Sequence, residues 1–90
     1  MITVDEYVID PFRSGIRMPL NAEILSVSFQ QNELCMWAKV NTEEVTEIRN
    51  FQGFGTGHEI PRGMGIDYAF IGTAHVDNGP VFHIFERLGL

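Results

Sequence analysis

Cysteine is almost missing from this 90-residue chain, and long apolar runs are missing altogether. The single cysteine, Cys35, excludes an internal disulfide framework and fits a reducing compartment. No stretch approaches the roughly 18 apolar residues that span a bilayer, and the N-terminal segment lacks the basic and apolar regions of an export signal. We therefore expect a cytoplasmic protein that is neither exported nor inserted into a membrane.

Basic residues are scarce as well. Six Lys and Arg stand against twelve Asp and Glu, which gives a formal net charge of −6, and the basic residues never cluster along the chain. Sequence-independent binding of DNA or RNA needs a concentrated basic surface, so nucleic acid is disfavoured as a partner. An acidic chain remains compatible with a basic protein partner.

The pattern that is present is a β pattern. Apolar residues recur mainly at every second position, and β-branched and aromatic types dominate, which favours strands over helices. The length fits one domain, residues 1–90, whose small core gives modest stability, so we expect a homo-oligomer. The predicted fold class is all-β, a small antiparallel sandwich or partly closed barrel of about six to seven strands. The predicted strands are Thr3 to Ile9, Gly15 to Met18, Ile24 to Gln30, Glu33 to Val40, Val45 to Phe54, Tyr68 to Val76 and Val81 to Arg87.

Two hairpins can be read from the pattern. A two-residue turn at Gln31-Asn32 would place six apolar side chains on one core face, because a slip of one residue would move every member to solvent. The pairs predicted there are Phe29 with Leu34, Val27 with Met36 and Leu25 with Ala38. The opposite face is polar apart from Ile24 and Trp37. That tryptophan either contacts a ligand or packs under a loop or a second layer.

The second hairpin turns at Asp77-Asn78-Gly79-Pro80, since Asn-Gly suits a turn with positive φ. The predicted partners are Val76 with Val81, His75 with Phe82, Ala74 with His83 and Thr73 with Ile84. This register places His75 and His83 on opposite faces, and a loop with an odd number of residues would bring them to the same face.

Three histidines raise the question of a metal. His58, His75 and His83 lack the short-spaced pair that usually begins a zinc site, so we expect no metal and no cofactor. No local pattern places a nucleophile beside a base and an orienting acid, so we expect no catalytic residues and no enzymatic activity. His83 lies in an apolar segment, where a hydrogen-bonded core histidine is expected, although it could line a pocket.

The best candidate for a site is the stretch from Gly53 to His58, which has glycine at every second position. Glycines remove side-chain bulk and let backbone N–H groups turn toward a common point, arginine binds anions through a planar fork, and tryptophan stacks on flat ligands. The predicted ligand-binding residues are Arg49, Gly55, Thr56, Gly57, His58, Trp37, His83 and Arg62. This set suits a small anionic, nucleotide-like ligand. In the alternative interpretation, the glycines only bend an edge strand and Arg49 pairs with Glu47 or with neighbours of Lys39.

Several segments resemble a family of short proteins of unknown function found in phages and prophages. They are Met18-Pro19, Ala22 to Val27, Gln30, Leu34 to Ala38, Arg49 with Phe51, Gly55-Thr56-Gly57-His58, Ile71-Gly72-Thr73 and Val81 to Glu86. The resemblance covers nearly the whole chain from Arg17 to Glu86. It implies a small accessory protein in the cytoplasm of an infected bacterium, and such proteins often counteract host defence.

The sequence therefore leads to one functional hypothesis and two alternatives. The leading hypothesis is a phage-encoded protein that binds and sequesters a small anionic, nucleotide-derived host immune signal without chemistry. The first alternative is a protein–protein inhibitor of a host defence complex, acting through an edge strand or the acidic surface. The second is a structural or assembly component of the phage.

Overall fold

The computed structural model describes residues 1–63 and 65–89. Within them the chain forms seven β-strands and no helix, which confirms the all-β prediction, and every predicted strand has a counterpart. The strands are β1 (Ile2–Ile9), β2 (Arg13–Pro19), β3 (Glu23–Gln30), β4 (Glu33–Asn41), β5 (Thr46–Gly55), β6 (Ile66–His75) and β7 (Val81–Gly89). The described residues accordingly contain no helix long and apolar enough to cross a lipid bilayer.

The strands form two antiparallel sheets that pack as a small sandwich. One sheet has three strands in the order β1-β4-β3, and the other has four in the order β2-β5-β7-β6. Side chains that alternate along the strands meet between the sheets and exclude water, which supplies most of the driving force for folding. The largest fully buried side chains are Phe51, Met18, Leu34, Met36, Ile84 and Val40.

The hairpin of β3 and β4 confirms the predicted turn and most of its register. Gln31 and Asn32 both have positive φ, 51° and 67°, as a two-residue type I′ turn requires. Phe29 pairs with Leu34 and Val27 with Met36, as predicted.

The third predicted pair of that hairpin is wrong. A β-bulge between Ile24 and Ser26 makes Ile24 the partner of Ala38, and Leu25 is left 48% exposed. The extra residue in the bulge exchanges the two faces of β3 from that point, so Ile24 packs against the core in place of Leu25.

In the hairpin of β6 and β7, the predicted register is wrong by one residue. His75 pairs with Val81 and Thr73 with His83, because residues 76–80 form a five-residue loop. The N–H of Gly79 donates to the carbonyl of Val76 (2.9 Å), and Asn78, with φ of 56°, supplies the positive φ of that turn. The odd loop places His75 and His83 on the same face of the sheet.

Candidate functional site

The Gly-Thr-Gly-His segment folds back onto the end of β5. The N–H of His58 donates to the carbonyl of Gly55 (3.0 Å), and Gly57 between them has a φ of 83°, which side chains disfavour. The His58 ring lies so close over Gly55 that a Cβ at that position would stand 2.8 Å from its Cε1 atom. Gly55 therefore leaves room for the His58 ring, and Gly57 suits the backbone conformation of the turn.

His83 ties this turn to the four-stranded sheet. Its Nε2 atom lies 2.8 Å from the Thr56 hydroxyl, and its Nδ1 atom lies 3.1 Å from the hydroxyl of Thr73 on β6. A neutral imidazole has one N–H and one lone pair, so one hydroxyl accepts a hydrogen bond and the other donates one. The structure thus brings Gly55, Thr56, His58 and His83 together on one side of the molecule.

An aromatic cluster continues on the same outer face of the four-stranded sheet. The Phe85 ring lies two positions from His83 along β7 and packs edge to face on Phe54 (5.9 Å between centroids) and Phe70 (5.4 Å). Tyr68 closes the cluster with a centroid distance of 5.5 Å to Phe54. The cluster draws on three neighbouring strands, β5, β6 and β7. Aromatic residues at every second position, as at Tyr68 and Phe70, share one face of a strand and are the signal from which the cluster could have been predicted.

Beside the aromatic cluster lies an open groove of about 540 Å³. The segment that follows the glycine turn forms one wall, and the start of β6 with Phe85 forms the other. Its lining residues are Ile60, Pro61, Arg62, Gly63, Ile66, Asp67, Tyr68 and Phe85. The groove combines one basic and one acidic side chain with two aromatic rings. Of the predicted site residues, Arg62 is the one that lines it.

Arg49 lies elsewhere, on the inner side of the four-stranded sheet. Its Nε and Nη2 atoms donate to the two carboxylate oxygens of Glu86, both at 2.7 Å, and Nη1 donates to the carbonyl of Ala22. The side chains are only 17% and 12% exposed. The hydrogen bonds that Arg49 donates to the Glu86 carboxylate raise the pKa of the guanidinium above its usual value. The guanidinium is therefore held by the fold. The alternative interpretation was right that Arg49 has an acidic partner but wrong about which one, since the partner is Glu86 and not Glu47.

Trp37 lies on the outer face of the other sheet. It is partly buried and stands between Glu6 of β1 and Ser26 of β3. Cys35 is on the same face, where burial, Glu6 and Glu33 together raise the pKa of its thiol. Because the outer faces of a sandwich point in opposite directions, Trp37 does not meet the glycine turn.

The predicted site residues are thus found in three places. The glycine turn, His83 and Arg62 share the outer face of the four-stranded sheet, whereas Arg49 lies between the sheets and Trp37 on the opposite surface. Within residues 1–63 and 65–89, no three His, Cys, Asp or Glu side chains are close enough together to hold a metal ion.

The comparison with protein families gives one match, which covers residues 1–89. The chain belongs to the family described as a domain of unknown function, DUF7352. No match emerges from the comparisons with curated proteins and with solved structures.

Proposed function

We propose that this protein is a small phage-encoded accessory protein that sequesters a small anionic, nucleotide-derived signal of the host immune system. The observation that carries the proposal is the groove of about 540 Å³ in which Arg62 lies near Tyr68 and Phe85. Compared with the sequence-based site, the proposed pocket keeps Arg62, replaces Trp37 with Tyr68 and Phe85, and omits Arg49, His83 and the glycine turn.

The size and the chemistry of the groove fit such a ligand. Sites for small molecules typically occupy about 300–1,000 Å³ and combine apolar walls with a few polar groups. The Arg62 guanidinium can bind a phosphate through two parallel hydrogen bonds, and the rings of Tyr68 and Phe85 offer apolar surface to a base. Asp67 can accept hydrogen bonds from ribose hydroxyls or from an exocyclic amine.

Binding alone is sufficient for this function. When the concentration of the binding protein exceeds the dissociation constant, the protein lowers the concentration of free signal by mass action, with no catalytic step. The phage setting and the host cytoplasm rest on the resemblance of the Gly-Thr-Gly-His and Val81 to Glu86 segments to the family of short phage proteins. The step from that setting to counter-defence rests on what such accessory proteins often do. Homo-oligomer formation belongs to the same proposal.

Calorimetric titration with cyclic mononucleotides, cyclic dinucleotides and ADP-ribose derivatives tests the proposal. We expect one compound to bind, and Arg62→Gln to weaken its affinity at least about tenfold, because a charge-assisted bidentate contact is lost. Lys39→Gln removes the same charge on the other sheet and should leave the affinity unchanged. Absence of heat for all compounds at high micromolar concentration would eliminate the proposal.

A protein–protein inhibitor is the second candidate. Apolar side chains of β1, an edge strand, are unusually exposed, and exposed edges recruit further strands. This candidate predicts co-purification with a host protein and a melting temperature that nucleotides do not change. A structural component of the phage would instead be detected by mass spectrometry of purified particles.

A further inference from the structure

The strands β1 and β2 form two edges on one side of the sandwich. β1 ends the three-stranded sheet and β2 ends the four-stranded sheet. Residues 10–12 join them at one end. At the other end Ile2 pairs with Asn41 and Pro19 with Thr46, and only residues 42–45 separate those partners. The two edges therefore run side by side in opposite directions.

The opposite side of the sandwich is different, because there β3 and β6 approach each other closely. A Cβ on Gly72 of β6 would stand 3.0 Å from a methyl carbon of Val27 on β3. β3 and β6 also end their sheets, but they approach each other more closely than β1 and β2 do, which leaves β1 and β2 as the more accessible edges. β1 has no proline or lysine, and β2 has a proline only at its last position, so the charged side chains of the two strands decide which other edges they can pair with.

The two edges carry opposite charges. β1 contains Asp5 and Glu6, and β2 contains Arg13 and Arg17, with no residue of the other sign in either strand. Glu6 and both arginines are exposed on the outer faces of their sheets, while Asp5 is partly buried and accepts a hydrogen bond from Thr3 (2.8 Å). Like charges directly opposite each other destabilise a strand pair, so β1 disfavours another β1 and β2 another β2.

Exposed apolar side chains accompany these charges. Ile2, Val4 and Val8 on the outer face of β1 are 63%, 58% and 54% exposed, and Phe12 in the loop to β2 is 66% exposed. Apolar residues concentrated along an unpaired edge are typical of an association surface.

We propose that the protein forms a two-fold symmetric dimer in which β1 of each copy pairs antiparallel with β2 of the other. The strands have similar lengths, eight and seven residues. A two-fold axis parallel to the strands brings β1 onto β2 at both edges simultaneously, because the two edges run in opposite directions. The three-stranded sheet of each copy thereby continues into the four-stranded sheet of the other copy, and no β1 or β2 edge is left unpaired.

The alignment of the two edges in the monomer fixes the approximate register. Ile2 and Pro19 lie at one end and Ile9 and the start of β2 at the other, so an antiparallel pair that aligns Ile2 with Pro19 places Glu6 of one copy opposite Gly15 of the other. Arg13 and Arg17 lie two residues on either side of that position, so they are diagonal neighbours of Glu6 within reach of a long side chain. The dimer thus places each Glu6 between two arginines of the second copy.

Sedimentation equilibrium and light scattering test the dimer. We expect the wild-type protein to show twice the monomer mass of 10.2 kDa, with dissociation favoured by salt. Glu6→Arg should weaken the dimer roughly thirtyfold, since the reversal turns attraction into repulsion at two symmetric places. Combined Arg13→Glu and Arg17→Glu should weaken it similarly, and all three substitutions together should restore it.

Arg87→Glu is the matched control, because it reverses a charge on β7, which lies inside the four-stranded sheet. Thermal unfolding serves to check that each variant is folded. A monomeric wild type, growth of the assembly beyond a dimer, or equal effects of Glu6→Arg and Arg87→Glu would each overturn the proposal. The edges are separate from the groove, so loss of nucleotide binding in the proposed site leaves this test unaffected.

Discussion

Replacing Glu86 with alanine should be among the most destabilising substitutions of a charged residue in this protein. The carboxylate accepts two hydrogen bonds of 2.7 Å from Arg49, and both side chains are largely buried. Glu86→Ala leaves the guanidinium between the sheets with two donors unpaired. Breaking a buried pair by removal of one partner costs about 3–5 kcal/mol. We expect about 2–3 kcal/mol here, because residual exposure lets water reach the arginine.

For a domain of this size, 1 kcal/mol corresponds to roughly 4–8 °C in melting temperature, so the midpoint should fall by about 10–20 °C. Urea unfolding followed by circular dichroism gives the free energy directly. Glu23→Ala is the matched control, since Glu23 forms an ion pair with Lys39 (3.3 Å) in which both side chains are more than half exposed. Its loss should cost less than about 1 kcal/mol.

A double variant separates the pair from the packing. Arg49→Met with Glu86→Leu replaces two charges with apolar groups, so it should be less destabilising than Glu86→Ala alone. If Glu86→Ala changed the free energy of unfolding no more than Glu23→Ala does, the structural role of Arg49 would be refuted, and its guanidinium would again be available to a ligand.

Three further outcomes follow from local geometry. Gly53→Ala should prevent or strongly impair folding, because its Cβ would overlap the carbonyl oxygen of Pro11. Gly57→Ala should cost only about 1 kcal/mol, since no atom of residues 1–63 and 65–89, apart from its two chain neighbours, would lie within 4 Å of its Cβ and only its φ is unfavourable. Thermal unfolding compares the two variants. Replacing Gln31-Asn32 with Asn-Gly should raise the melting temperature, because these residues suit the two positive φ values better. Burial raises the pKa of the Cys35 thiol in the folded protein, so its contribution to stability is complete below the unfolded pKa of 9.0 and is lost as the pH rises above that value. Urea unfolding at pH 8 and pH 10 should therefore show a smaller loss of unfolding free energy in Cys35→Ala than in the wild type.

Strand positions were predictable from the sequence because a half-buried strand must alternate apolar and polar side chains. This pattern located all seven strands and the turn at Gln31-Asn32. It failed at Leu25, where alternation cannot reveal a β-bulge that adds one residue to a single strand. It also failed at the turn before Val81, because Asn-Gly is compatible with loops of more than one length, and each length gives a different register.

The site was predictable only in part. The structure brings Gly55, Thr56, His58 and His83 together, because the turn is local and its partner His83 lies on a neighbouring strand. Arg49 has the chemistry of a ligand-binding residue, but its partner Glu86 is distant along the chain, and only the pairing of β5 with β7 brings them together.

The sequence alone determined what depends on neighbours along the chain: β structure, the positions of the strands, and a glycine turn that folds back on its own strand. Tertiary structure decided which surfaces these residues occupy. Side chains from different strands meet only after the sheets have been ordered, so the groove at Arg62, the inward position of Arg49 and the opposite charges of the edges β1 and β2 became visible only in three dimensions.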